Sequence, residues 1–250
     1  MQVIVQNLAT EYQNEGSGKT VLFLHGWQDN LHTFDALVPF LSSSYRIIRL
    51  DLPGFGKTET PKESWGLWGY VRFVDEFIKK LNIEVDTIVG HSFGGRIIIK
   101  GEAAKMFGAD KIVLIGSAGI AKRNTARNFV LNIIAKIGKA LTSMPPLSLW
   151  KRQIRRRFYK RIGSDYASAG ALQETFLKTI SEDLRENAKK ITTPALLIWG
   201  VNDTDTPLPD GKRLSELIPN SKLHALEEAG HFVHQEKPRE VANLITKFIC

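Results

Sequence analysis

The chemistry of this chain concentrates in Gly90-His91-Ser92-Phe93-Gly94. The apolar run Thr87-Ile88-Val89 precedes the pentapeptide and Gly95-Arg96-Ile97-Ile98-Ile99 follows it, so it joins an expected strand to an expected helix. G-x-S-x-G at such a junction turns the backbone sharply and lifts the serine hydroxyl above the sheet. Glycines flank the serine because side chains there would collide with the crossing strand and helix. A serine hydroxyl alone is a weak nucleophile. It needs a histidine to take its proton and a carboxylate to orient the imidazole and stabilise its charged form.

On an architecture with such a strand–turn–helix elbow, those partners follow in the chain order nucleophile, acid, base. The histidines are His25, His32, His91, His224, His231 and His234, and only the last three lie far enough along the chain. His231 stands in Glu228-Ala229-Gly230-His231-Phe232, just past the strand-like Ser221–Leu226. That is a loop at a strand end, where catalytic groups of a parallel sheet gather. His234, in His234-Gln235-Glu236-Lys237-Pro238, reads instead as the start of the last helix and a support for the His231 loop. For the acid, Pro194–Trp199 reads as a buried strand and Gly200-Val201-Asn202-Asp203 as the turn leaving it. Asp203 immediately follows that turn and is the favoured acid; Asp205 is a rival and Asp210 a remoter one.

The elements that must position these groups alternate between two periods. Gln2–Gln6 and Leu8–Gln13 read as a hairpin, with Asn14–Lys19 as a polar turn after it. Thr20–Leu24, Tyr45–Leu50, Thr87–Val89, Lys111–Ile115, Pro194–Trp199 and Ser221–Leu226 are strand-length apolar runs. Several are apolar on both faces, as parallel strands covered by helices are. Val71, Val74, Ile78 and Leu81 fall on one helical stripe, Phe93–Phe107 follows the elbow, and Pro238–Ile249 turns Val241, Leu244, Ile245 and Phe248 inward. The expected fold class is therefore α/β, a mostly parallel doubly wound sheet.

The rhythm breaks after Lys111–Ile115 and resumes at Pro194. Between them Phe129, Val130, Ile133, Ile134, Ile137 and Leu141 form one helical stripe. Trp150, Ile154, Phe158 and Ile162 form a second, and Leu172, Phe176, Leu177 and Ile180 a third. The expected organisation is a core of residues 1–118 and 193–250 with a helical cap inserted at 119–192. Such a lid would cover Ser92, exclude water and shape a pocket. The segment carries 16 basic and 5 acidic residues, a net of +11 in a chain whose whole is +8, leaving −3 for the remainder. Within it Lys151, Arg152, Arg155, Arg156, Arg157, Lys160 and Arg161 are interleaved with apolar residues every fourth position, which reads as an amphipathic helix with a solvated basic face. Anionic substrates, lipid surfaces and nucleic acid are the competing uses of that face.

Five stretches together resemble the α/β-hydrolase fold family: Leu24-His25-Gly26-Trp27, Asp51-Leu52-Pro53-Gly54-Phe55-Gly56, the Ser92 elbow, Trp199-Gly200-Val201-Asn202-Asp203 with Pro207, and Gly230-His231-Phe232. The resemblance covers nearly the whole chain. It implies Ser92 as nucleophile, Asp203 as acid, His231 as base, and an oxyanion hole from the backbone N–H groups of Trp27 and Phe93. The family sometimes carries its acid after an earlier strand, where this chain reads Gly116-Ser117-Ala118-Gly119 without a carboxylate. Asp51 in its tight turn is implied to be structural, and His25 to support the oxyanion loop. His25, Phe129 and Trp150 are also the candidate pocket residues, although Phe129 and Trp150 read first as packing groups.

At 250 residues the chain suits one domain with an insertion and has ample length for a large core. The start, Met1-Gln2-Val3-Ile4-Val5-Gln6, lacks a basic region followed by an apolar run, and no apolar stretch reaches the roughly 20 residues that span a bilayer. Cys250 is the only cysteine, and no Cys/His cluster has metal-ligand spacing. The expectation is a cytoplasmic, cofactor-free and metal-free serine hydrolase, monomeric or homodimeric, that takes a small-molecule ester, without nucleic acid and without stable membrane insertion. Carboxylic esters of short to medium acyl chains are the expected substrates. The alternatives are C–C bond hydrolysis of diketone acids like that of meta-cleavage product hydrolases, lactone or perhydrolase chemistry, and a slow-turnover ligand-binding sensor. The Ser-Gly-rich stretch usual after His-Gly in the C–C hydrolases is replaced here by Trp27-Gln28-Asp29-Asn30.

Overall fold

The structure, a computed structural model, describes residues 1–120 and 170–250. Eight strands form one sheet in the order β1-β2-β4-β3-β5-β6-β7-β8. They are β1 (Gln2–Val5), β2 (Leu8–Glu15), β3 (Thr20–Leu24), β4 (Arg46–Leu50), β5 (Thr87–His91), β6 (Lys111–Ile115), β7 (Ala195–Gly200) and β8 (Ser221–Leu226). The pairs β1–β2 and β2–β4 are antiparallel and all others parallel. The opening hairpin turns at Gln6 and Asn7, whose φ angles of 49° and 61° suit a two-residue turn matched to strand twist. Strand β2 runs on to Glu15, beyond the expected end at Gln13, because Gln13, Asn14 and Glu15 pair with Arg49, Ile48 and Ile47 of β4.

The described helices are α1 (Val38–Leu41), α2 (Leu67–Leu81), α3 (Phe93–Ala103), α4 (Gln173–Ile180), α5 (Arg185–Ala188), α6 (Leu208–Leu217), α7 (Val233–Glu236) and α8 (Pro238–Ile249), with a 3₁₀ turn at Leu31–Phe34. The inner strands are apolar over most of their length because they face two cores. Leu22 and Leu24 of β3, Ile112 and Leu114 of β6, and Leu197 and Trp199 of β7 pack on one side, among residues of α2, α3, α5 and α6. Val21 and Phe23, Val113 and Ile115, and Leu196 and Ile198 pack on the other, among residues of α1, α7 and α8. The period-two alternation of side chains thus sends successive residues into opposite cores.

Several expected elements differ. The helix after the elbow ends at Ala103, short of Phe107, where Lys105 takes a left-handed φ of 56°. His234 does not start the last helix. It lies in the separate turn α7, and Lys237 at φ −130°, ψ 51° breaks the chain before Pro238. The stripe through Leu172, Phe176, Leu177 and Ile180 is only half inward: α4 buries Thr175, Phe176 and Thr179, while Leu177 and Ile180 stand exposed. The two stems of the segment expected as an insertion lie together, since the N–H of Leu184 donates to the Gly119 carbonyl at 3.0 Å. The basic helix expected at Lys151–Arg161, and the pocket candidates Phe129 and Trp150, lie outside the described residues.

Candidate active site

Ser92 occupies the turn between β5 and α3 with φ 49° and ψ −104°. A non-glycine residue in that region costs about 1–3 kcal/mol. The fold outweighs this readily, because Ile97, Ile98 and Ile99 of α3 are fully buried and each such side chain contributes about 1.5–3 kcal/mol. Glycine is required on both sides of the turn. A Cβ on Gly94 would stand 2.1 Å from the Leu24 carbonyl oxygen, and one on Gly90 would stand 2.6 Å from the Gly94 carbonyl carbon. The elbow is stitched to the end of β6 and the loop after it, with the Ser92 N–H donating to Ile115 O at 3.0 Å and the Ala118 N–H donating to Ser92 O at 3.1 Å. Around it, His91, Phe93 and all the remaining residues of α3 except Ala103 are buried, whereas Ser92 is half-buried.

Asp203 and His231 meet. His231 Nδ1 lies 2.8 Å from Asp203 Oδ2. The carboxylate is an acceptor, so Nδ1 carries the hydrogen and the lone pair of the ring is left on Nε2, the form a general base requires. The other carboxylate oxygen, Oδ1, accepts the N–H groups of Asp205 and Thr206, each at 2.9 Å. Burial pushes the Asp203 carboxyl upward, but the hydrogen bond and charge of His231 together with the donors of Thr206 outweigh it and hold the group below the usual carboxylate range. The rival Asp205 is exposed and only lends its N–H to Asp203. A hydroxyl that sequence reading missed also stands here: Thr206 Oγ1 lies 2.8 Å from Asp203 Oδ2, 3.2 Å from His231 Nδ1 and 2.9 Å from Gly116 O. Its local signal is a hydroxyl residue three positions after an acid in a turn.

The loops bearing Ser92 and His231 are tied through the neighbour of each. His91, the residue before Ser92, donates from Nε2 to the His231 carbonyl at 3.1 Å, and the two imidazoles lie tilted against each other with centroids 4.7 Å apart. His234 also lies tilted against His91, with centroids 4.5 Å apart, and its Nε2 lies 3.0 Å from Thr33 Oγ1. His234 is thus a support of the His231 loop, in keeping with its sequence, although its helical context differs.

The remaining candidates divide. Gly26 approaches the elbow so closely that a Cβ on it would lie 3.5 Å from the Ser92 Cβ and 3.0 Å from His91 Nδ1. That brings the Gly26-Trp27 turn beside Ser92. Trp27 is half-buried, with its ring 4.9 Å from Phe55, 5.2 Å from Phe93 and 5.1 Å from Phe176. These four rings make an aromatic wall around the expected oxyanion turn, and Phe55 and Phe176 were absent from the candidates read off the sequence. His25 requires a correction as a pocket residue. It is fully buried, its Nδ1–H donates to Gly26 O at 2.7 Å, and its Nε2 accepts the Leu52 N–H at 2.9 Å. Both nitrogens are spent bracing the turn, and burial lowers the ring's basicity. Asp51 is structural as expected: its oxygens accept the N–H groups of Leu31 at 2.7 Å and Lys57 at 2.8 Å.

Similar proteins match this chain over nearly its whole length. An uncharacterised hydrolase of Bacillus subtilis, YugF, is 30% identical over 255 residues, covering 95% of this chain and 92% of its own. The monoacylglycerol lipase ABHD6 of Rattus norvegicus is 27% identical over 260 residues, covering 94% of this chain and 76% of its own. Among solved structures, the meta-cleavage product hydrolase CumD of Pseudomonas fluorescens IP01 superposes with a TM-score of 0.75 at 25% identity, covering 99% of this chain and 97% of its own. The sequence profile of the alpha/beta hydrolase family matches residues 21–244, and the chain belongs to that family.

Proposed function

We propose that this hydrolase cleaves carboxylic esters of short to medium acyl chains through an acyl-enzyme on Ser92. Ser92 attacks the carbonyl carbon while His231 Nε2 takes its proton, and the backbone N–H groups of Trp27 and Phe93 receive the oxygen that gains charge. His231 then returns the proton to the leaving alcohol, and a water activated by the same nitrogen releases the acid. Asp203 holds the imidazole in the tautomer that leaves Nε2 basic. The observation that carries the reading is the 2.8 Å contact of His231 Nδ1 with Asp203, at the same sheet edge as a serine held on a strained turn.

Ester substrates are favoured by the surroundings of the elbow. Trp27, Phe55, Phe93 and Phe176 offer an apolar wall. C–C bond hydrolysis of a diketone acid is the second reading, supported by the likeness to CumD over nearly the full length of both chains. Nitrophenyl esters from acetate to octanoate, offered beside a dienoic diketone acid, separate the two. The expected outcome is a burst of nitrophenol with wild type that Ser92→Ala abolishes. Cleavage of the diketone acid alone transfers the assignment to C–C hydrolysis, and Ser92-independent, slow turnover of everything returns the chain to a ligand-binding role.

A further inference from the structure

Thr206 has every polar group committed around Asp203. Its N–H donates to Asp203 Oδ1 at 2.9 Å, its carbonyl accepts the indole N–H of the fully buried Trp199 at 2.7 Å, and its hydroxyl faces Asp203 Oδ2 at 2.8 Å. The same hydroxyl lies 2.9 Å from the Gly116 carbonyl and 3.2 Å from His231 Nδ1. Thr206 is itself buried. Held at both backbone ends, it presents one rotatable O–H to two groups that can only accept, a carboxylate oxygen and a peptide carbonyl.

We propose that Thr206 is a positioning residue of the proposed triad, its hydroxyl aiming the Asp203 carboxylate at His231 and sharing the Nδ1 proton as charge builds on the ring. With the hydroxyl hydrogen on Oδ2, the carboxylate is fixed in the plane that meets Nδ1. With the hydrogen turned to Gly116 O, the lone pairs of Oγ1 face Nδ1–H and accept from it beside Oδ2. The second orientation gains as His231 takes the Ser92 proton, because an imidazolium N–H is the stronger donor. Gly116 completes the site sterically: a Cβ there would lie 3.3 Å from Asp203 Oδ2 and 3.4 Å from His231 Nδ1, on a left-handed φ of 48°. The role rests on the serine-hydrolase reading, and its test has one measurement that does not.

Thr206→Val removes the hydroxyl at nearly constant shape, and Thr206→Ser keeps it. A hydrogen bond to a charged group contributes enough that kcat on a nitrophenyl ester should fall about 10- to 100-fold in the valine variant. KM should stay near wild type and the serine variant should regain most of kcat. In parallel, the low-field proton NMR resonance of His231 Nδ1–H, read without substrate, should move in Thr206→Val and return in Thr206→Ser. If the valine variant fails to fold, Thr206→Ala removes the same hydroxyl under the same criteria. An unmoved resonance, or a kcat loss that serine does not rescue, overturns the proposal. Absence of Ser92-dependent turnover in wild type would overturn the hydrolase reading instead, leaving the resonance to decide for or against Thr206.

Discussion

Three imidazoles cluster here, His91 tilted against both His231 and His234 with centroids 4.7 and 4.5 Å away, yet only His231 has a carboxylate partner. His231 keeps 11% of its side chain exposed and has a carboxylate at 2.8 Å. His91 is buried and its one hydrogen bond goes to a neutral carbonyl. Burial, and then the nearness of His234 and His231, pushes its basicity well below the usual histidine range. His234 is buried against Thr33, and burial drives it down to about 3. Residue type and proximity are shared; the carboxylate and the exposed edge are not. In the proposed mechanism the base is the ring whose partner stabilises its charged form, and the other two rings, neutral through burial, support the loop.

The most direct way to break that contrast is to remove the ring with the carboxylate. His231→Ala should lower kcat/KM on nitrophenyl esters by roughly 10⁴-fold or more, with the melting temperature little changed. His91→Ala, one ring away, should act chiefly through stability because it deletes a buried group. If the two variants lose activity alike while both remain folded, the distinction between base and support is wrong. Removing the partner instead comes next in size. Asp203→Asn should reduce kcat by about 10³- to 10⁴-fold, because an amide can turn its NH₂ to Nδ1 and impose the other tautomer. An Asn variant within tenfold of wild type would mean that Asp203 is not what orients His231.

These contrasts were unevenly legible beforehand. The elbow turn and the inner strands could be read because each depends on local pattern: glycines at a turn, or continuous apolar runs that only a two-sided sheet uses. Helix α6 escaped because it buries only Gly211 and Leu214, with no stripe to mark it. In α4 the stripe misled at Leu177 and Ile180, since the buried face carries Thr175 and Thr179, whose hydroxyls find partners in the Trp65 N–H and the Phe176 carbonyl. Thr206 and His91 were missed for one reason. Their roles are set by what another strand end brings to them, Gly116 and His231 in one case and the His231 carbonyl in the other. Sequence displays which residues can do chemistry; which of several histidines keeps a charge partner is a property of the assembled sheet edge.

The smallest predicted effect sharpens the contrast from the neutral side. In the unfolded chain His234 regains the ordinary value of 6.5, whereas in the fold it sits at about 3. Above 6.5 both states hold the ring neutral and its titration contributes nothing to pH dependence. As pH falls from there the unfolded chain takes up a proton that the folded chain refuses, so stability is lost progressively down to the folded value. Each such group adds up to about 1.4 kcal/mol per pH unit to that slope. His25 and His91, both lowered chiefly by burial, add to it with the same sign. His234→Phe should therefore unfold in urea near the wild-type midpoint at pH 7, less the loss of one contact to Thr33, worth about 1 kcal/mol. Between pH 6 and pH 4 its stability should fall less steeply than wild type by about one proton's worth of slope. Equal slopes would mean that His234 takes up its proton inside the fold, and its place as a neutral support would be lost.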